Sequence, residues 1–250
     1  NPASIVRADF NGAGKPALVV ADSVADNSTV FIGDGSDAFN PSATRSGTGD
    51  SPYALAAADL NGDGFQDLAT VNSRANNVTI LLGDGRGAFT PAADSPYRAG
   101  LVPEAIAIGD LDGDRRPDLV VANFESNDIT VLRNRGNGTF TATTFAAGGG
   151  PRGVAIGDLD GDGKADVAVA TFNDGTVRIL YGDGNAGFRA DTAALEAGSG
   201  PRAIAVADLN RDRQLDIAVA NGDSNNLVVL LGNGAGSFTR AAGSPFSCGR

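Results

Sequence analysis

Short apolar runs alternate along this chain with clusters of Asp, Asn and Gly. Ala105-Ile106-Ala107-Ile108 and Ile204-Ala205-Val206-Ala207 each lead into such a cluster. Asp118-Leu119-Val120-Val121-Ala122-Asn123 and Asp216-Ile217-Ala218-Val219-Ala220-Asn221 follow it. These runs are apolar at odd and even positions alike, the pattern of strands covered on both faces. A polar turn such as Ser224-Asn225-Asn226 precedes a third run, Leu227-Val228-Val229-Leu230-Leu231. Gly83-Asp84-Gly85 and Gly232-Asn233-Gly234 then read as hairpin turns. A weaker fourth strand is expected at the Phe that closes each turn, followed by a Gly/Pro-rich connector.

The pattern repeats. Asp9, Asp59, Asp110, Asp158 and Asp208 open five related segments, spaced 50, 51, 48 and 50 residues apart. Phe39, Phe89, Phe140, Phe188 and Phe238 keep the same beat. Two markers in one register divide the 250 residues into a single domain of five repeats, at approximately 1–50, 51–101, 102–149, 150–199 and 200–250. Four short antiparallel strands per repeat predict an all-β fold, a β-propeller of four-stranded blades. The first strand of each repeat is rich in Ala and Gly, which suits the crowded position next to the axis. Joining Gly249-Arg250 to Asn1-Pro2 reproduces the connector Gly100-Leu101-Val102-Pro103. That fits a closed ring of five blades, and equally five repeats of a longer array.

Composition sharpens this picture. Only three of the 30 acids are Glu, at Glu104, Glu125 and Glu196. The remainder are Asp, which favours turns and metal loops over helices. A net charge of −11 argues against nucleic acid and anionic membrane as partners. The chain has no His, and its one Cys is Cys248, so imidazole chemistry, zinc fingers and internal disulfides are excluded. No apolar run reaches the length of a membrane span. With no Met, the chain is expected to be a trimmed product.

The candidate chemistry lies in the aspartate loops. Asp59-Leu60-Asn61-Gly62-Asp63-Gly64-Phe65-Gln66-Asp67 places oxygen ligands at positions 1, 3, 5 and 9, with the carbonyl of Phe65 available at position 7. The set recurs as Asp110, Asp112, Asp114, Arg116 and Asp118; as Asp158, Asp160, Asp162, Lys164 and Asp166; and as Asp208, Asn210, Asp212, Gln214 and Asp216. An Asx turn needs one or two such side chains, and crowding three or four carboxylates is unfavourable without a cation. Hard oxygen ligands in this number suit calcium, about four ions per chain. The first repeat keeps Asp9 and Asn11 but has Ala13 and Ala17 at positions 5 and 9, so its site is expected to be empty or weak. An EF-hand is excluded, because position 12 is Thr70, Val121, Val169 or Val219 in a strand-like run rather than Glu.

These loops resemble the FG-GAP/VCBS repeats, the calcium-loop propellers of integrin α-subunits and of many secreted proteins. The resemblance spans essentially the whole chain, with Arg115 and Arg213 standing where the family has Gly. It implies calcium between the first and second strands of each blade, usually in rings of seven blades. No Arg-Gly-Asp is present, so integrin function does not carry over. Lectin-like members of the family suggest carbohydrate as a ligand.

The expected function is a calcium-binding module for carbohydrate or protein ligands, outside the cell or on its surface. A structural subunit of an extracellular assembly is the alternative, with Cys248 free or paired to another chain. Catalysis is not expected: His is absent, and the three Glu fall in no common repeat phase. A lyase-type propeller is the remaining enzymatic reading. The repeated Phe is expected between blades. Tyr53, Tyr97 and Phe246 share a Ser-Pro-aromatic connector and read as rim packing, or else as a stacking site for sugar.

Overall fold

The computed structural model describes residues 1–33, 39–191 and 193–249. The first-repeat turn that begins at Gly33, and Arg250 of the proposed end-to-end connector, reach outside the described residues. The described residues contain 23 strands and no helix, so none could cross a membrane as a helix.

The strands form five antiparallel sheets, one per repeat. Blade 1 holds β1 (Pro2–Ala8), β2 (Ala17–Asp22), β3 (Asn27–Gly33) and β4 (Phe39–Gly47). Blade 2 holds β5 (Pro52–Ala58), β6 (Asp67–Asn72), β7 (Asn77–Gly83) and β8 (Phe89–Pro91), with β9 (Tyr97–Arg98) returning onto β7. Blade 3 holds β10 (Pro103–Gly109), β11 (Asp118–Asn123), β12 (Asp128–Asn134) and β13 (Phe140–Ala146). Blade 4 holds β14 (Pro151–Gly157), β15 (Asp166–Thr171), β16 (Thr176–Gly182) and β17 (Phe188–Ala190), with β18 (Leu195–Glu196) back on β16. Blade 5 holds β19 (Pro201–Ala207), β20 (Asp216–Asn221), β21 (Asn226–Gly232) and β22 (Phe238–Arg240), with β23 (Phe246–Ser247) back on β21. The fourth strand does start at the marker Phe, but in three blades it breaks into two short pieces.

The second strands of blades 2, 3 and 4 are buried at every position, as their two-faced apolar pattern requires. Consecutive first strands pack on one another, from β1 through β5, β10 and β14 to β19. Ala and Gly are needed there: a Cβ on Gly153 would lie 3.2 Å from the Arg202 carbonyl of the next blade.

Blade-to-blade packing uses two recurrent anchors. Position 2 of each loop reaches forward, so Phe10, Leu60, Leu111 and Leu159 are fully buried against the following blade. The marker Phe reaches backward: Phe89 meets Phe10 at 5.6 Å, Phe140 meets Tyr97 at 5.4 Å and Phe188 meets Phe145 at 5.4 Å, all edge to face. At the two ends these anchors have nothing to meet. Leu209 is 49% exposed and Phe39 is 43% exposed. Among the described residues, β19 and β1 have no packing like that between other first strands. Ile5, exposed on β1, lines an open apolar hollow with Pro2, Val20 and Phe31. Among the described residues the five blades thus do not close on themselves and form an open arc.

The three Ser-Pro-aromatic segments prove unalike. Ser95-Pro96 and Ser244-Pro245 are cis and lie in rim connectors, whereas Pro52 begins the inner strand β5. Tyr97 is buried, and its hydroxyl accepts a hydrogen bond from the Phe140 amide at 3.2 Å. Tyr53 and Phe246 are exposed. Rim packing thus holds for Tyr97, and no common aromatic site unites the three. Cys248 is an exposed free thiol.

Candidate metal centres

Each loop joins the first strand to the second at one end of its blade, and its polar side chains turn inward on the loop's own backbone. At position 1, Asp59 accepts from the amides of Gly62, Asp63 and Gly64 at 2.7–3.2 Å. Asp110 does the same for Gly113, Asp114 and Arg115 at 2.8–3.2 Å. Asp208 takes Arg211, Asp212 and Arg213, and Asp158 takes Gly161 and Gly163. Position 3 caps the amide of position 5: Asn61 to Asp63, Asp112 to Asp114, Asp160 to Asp162 and Asn210 to Asp212. Position 5 in turn caps the amide of position 7, from Phe65, Arg116, Lys164 and Gln214. The loop needs a left-handed backbone to do this. Arg115 and Arg213 adopt φ of +66° and +71° at a position where Gly is better suited.

Position 9 is different in kind. Asp67, Asp118, Asp166 and Asp216 are at most 1% exposed. One oxygen of each accepts the amide of loop position 2, and the other accepts an amide at the end of the third strand. For Asp118 these are Leu111 at 2.9 Å and Asn134 at 2.7 Å. For Asp67 they are Leu60 and Gly83, both at 2.8 Å. Asp166 and Asp216 repeat the arrangement. Burial pushes the carboxyls of Asp67, Asp118 and Asp166 up to about 6, against the opposing pull of those two amides. This position thus ties the loop to the blade, a role that ligand counting alone did not reveal.

Carboxylate oxygens of Asp110, Asp112 and Asp114 lie within 4.8 Å of one another, as do those of Asp158, Asp160 and Asp166. Three like charges at this range, on exclusively oxygen donors, fit a hard divalent cation. The cationic side chains at position 7 reach back to position 5. Arg116 pairs with Asp114, and Lys164 lies 2.7 Å from Asp162, whose carboxyl it holds below the usual range. In the first loop Asp9 still accepts from Gly14 at 2.7 Å, and Asn11 from Ala13. Its carboxylates at positions 5 and 9 are missing, as the sequence indicates.

A second set of residues escaped the sequence reading. Arg133 and Arg135 project beside the third-repeat loop, with Arg133 bonded to Asp112. At the start of the inner strands, the Arg152 guanidinium lies over the rings of Phe124 (4.4 Å) and Phe172 (4.3 Å), with Glu104 at 3.1 Å. The signal for Arg133 and Arg135 was departure from the repeat pattern, whereas Pro151-Arg152 recurs as Pro201-Arg202 in blade 5.

Strand order, blade stacking and loop placement together define a β-propeller of the aspartate-loop class. Residues 9–70, 59–121, 110–169 and 158–219 each match the FG-GAP-like repeat. The chain therefore belongs to the FG-GAP-like repeat family. No curated protein matches it. Among solved structures, a protein from Lactobacillus plantarum is similar with a TM-score of 0.75 at 15% identity, over 98% of this chain and 72% of that one. BBS1N, solved in complex with ARL6DN, gives 0.65 at 16% identity over 95% and 66%. Kuenenia stuttgartiensis hydrazine synthase gives 0.62 at 16% identity over 98% and 68%. Identities this low speak for fold alone. The present chain spans about two thirds of the length of such propellers.

Proposed function

We propose that this chain is a calcium-binding propeller that works outside the cell, or on its surface, as a binding module for a protein or carbohydrate ligand. The observation that carries the metal reading is the convergence of loop carboxylates within 4.8 Å in two loops. Asp59, Asn61, Asp63 and Asp67 would hold one ion, and the corresponding residues of the next three loops one each, with the position-7 carbonyls of Phe65, Arg116, Lys164 and Gln214 contributing. Bound calcium supplies positive charge that neutralises these carboxylates and stiffens the loops. Calcium loops outside cells commonly bind at about 10⁻⁴–10⁻³ M, matched to external calcium. The protein complex made by BBS1N, a propeller of similar fold, supports a binding role for such a scaffold. Metal analysis after dialysis against calcium buffer is expected to return about four ions per chain. Two or fewer would overturn the assignment, and five would mean the first loop also binds.

A further inference from the structure

The five repeats serve as internal controls for one another. Any residue that the blade fold itself requires recurs at the same place in other blades. Blade 3 breaks this rule at two positions, beside a loop position 7 that is basic in three blades. Loop position 7 is Arg116, against Lys15, Phe65, Lys164 and Gln214 elsewhere. The next-to-last residue of the third strand is Arg133, where the other blades have Ile32, Leu82, Tyr181 and Leu231. The first residue of the hairpin is Arg135, where they have Asp34, Asp84, Asp183 and Asn233. The fold is thus built four times without these side chains, and at the hairpin with an acid or amide in place of the base.

The three guanidiniums converge. Alternation along β12 puts Val131, Arg133 and Arg135 on one face, and the register sets Thr143 opposite Val131 and Thr141 opposite Arg133. These residues line a cleft of about 410 Å³ with Arg116 and with Asn185 of blade 4. The blade 4 hairpin is docked there by the Ala186 amide, which donates to the Leu111 carbonyl at 3.3 Å. Arg116 is steadied by the Asn134 carbonyl at 3.3 Å and by Asp114, and Arg133 by Asp112. Arg135 donates to Thr141 and has no carboxylate partner among the described residues. A guanidinium carries five N–H donors, so each keeps donors free after these contacts. The cleft is a fork of cations edged by hydroxyls and an amide, on a protein of net charge −11.

We propose that this cleft binds an acidic saccharide, its carboxylate or sulfate held by Arg133 and Arg135 and its hydroxyls by Thr141, Thr143 and Asn185. Arginine forks match the geometry of such oxyanions, and the flanking hydroxyl and amide groups match neighbouring sugar hydroxyls. The proposal deepens the binding-module reading and rests on it.

The test is calorimetric titration in calcium buffer with a sulfated tetrasaccharide, a tetragalacturonate, neutral maltotetraose and inorganic sulfate. The double variant Arg133→Gln/Arg135→Gln removes both charges and keeps an amide donor beside Asp112, whose side chain is only 2% exposed; its melting temperature and metal count are read alongside to show that it folds. Arg240→Glu, on the outer strand β22 of blade 5, lowers the net charge by the same two units and serves as the control. At least one acidic tetrasaccharide should bind, more tightly than sulfate, and maltotetraose should not. The double variant should bind at least about tenfold more weakly, and Arg240→Glu within about twofold. Equal binding by the double variant would overturn this cleft while leaving the binding module standing. Loss of binding in Arg240→Glu as large as in the double variant would reduce the effect to net charge and overturn the site. Binding of sulfate as tight as that of the saccharide, or no binding of either acidic tetrasaccharide, would also overturn it. The metal count of the unaltered chain is a separate measurement, so a failed calcium reading would be seen apart from a failed cleft.

Discussion

Replacing Asp118 by Ala removes the acceptor for two buried amides, those of Leu111 and Asn134. An orphaned buried donor costs about 1–3 kcal/mol, so the pair costs about 2–6. Part of this is offset, because the carboxyl itself is buried and pushed from near 3.8 up to about 6. At neutral pH, relief of that desolvation returns roughly 2–3 kcal/mol. Taking the middle of each range, about 4 less about 2.5, the net expectation is a loss of about 1.5 kcal/mol, present even without metal. Asp118→Asn keeps one acceptor and carries no charge, so it should fall between the unaltered chain and the Ala variant. Asp112, by contrast, accepts only one amide, that of Asp114, and its side chain, 2% exposed, pairs with the half-exposed Arg133. Asp112→Ala should therefore cost less in chelator than Asp118→Ala, because it leaves one amide without its acceptor rather than two. Urea unfolding of the three variants, in excess chelator and in millimolar calcium, separates the cases. If Asp118→Ala is as stable as the unaltered chain in chelator, the tie between loop and third strand carries no net stability and the reasoning fails.

In calcium, Asp112→Ala should lose one ion and Asp9→Ala none, read by metal analysis. At tenfold over Kd each site adds roughly 1.4 kcal/mol, so chelator should strip roughly 5–6 in all and lower the melting temperature steeply. An unchanged melt would refute a stabilising metal. The raised carboxyls of Asp67, Asp118 and Asp166 keep protons in the folded state that the unfolded chain has already released. Their contribution to metal-free stability is therefore fully present below about pH 4 and is lost as pH rises to about 6. Calcium should reverse the trend, because its ligands must be deprotonated; pH-dependent melts with and without calcium check both signs. Leu60→Ala should cost about 2–5 kcal/mol, while the same change at Leu209 should stay within about 1, by chemical denaturation. Equal losses would mean that blade 5 is covered in solution.

The blades were legible in the sequence because two markers, the loop Asp and the turn Phe, each recur at fixed phase. The strand identities followed from runs such as Asp118 to Asn123, whose burial on both faces leaves no other reading. The open ends were not legible. Leu209 and Phe39 look like their internal counterparts, and only the absence of a neighbouring blade distinguishes them. The loops were half legible. Spacing marked the ligand candidates, but Asp67 and its counterparts also serve as buried staples, and that depends on where the third strand ends. Arg133 and Arg135 were missed because a search for repeated residues passes over the ones that differ.

The open arc bears on how the molecule comes apart. In a stack where each blade touches only its neighbours, stability is a sum of blade and interface contributions along a line. Blades 2, 3 and 4 each have two such interfaces, whereas blades 1 and 5 have one. Opening then begins at the tips and moves inward, as a fraying rope does, with the middle blade the last to let go. Amide exchange in β11 should accordingly be slower than in β2 or β20, although the three strands have nearly the same residues. Position in the row, more than composition, decides how long a strand stays shut.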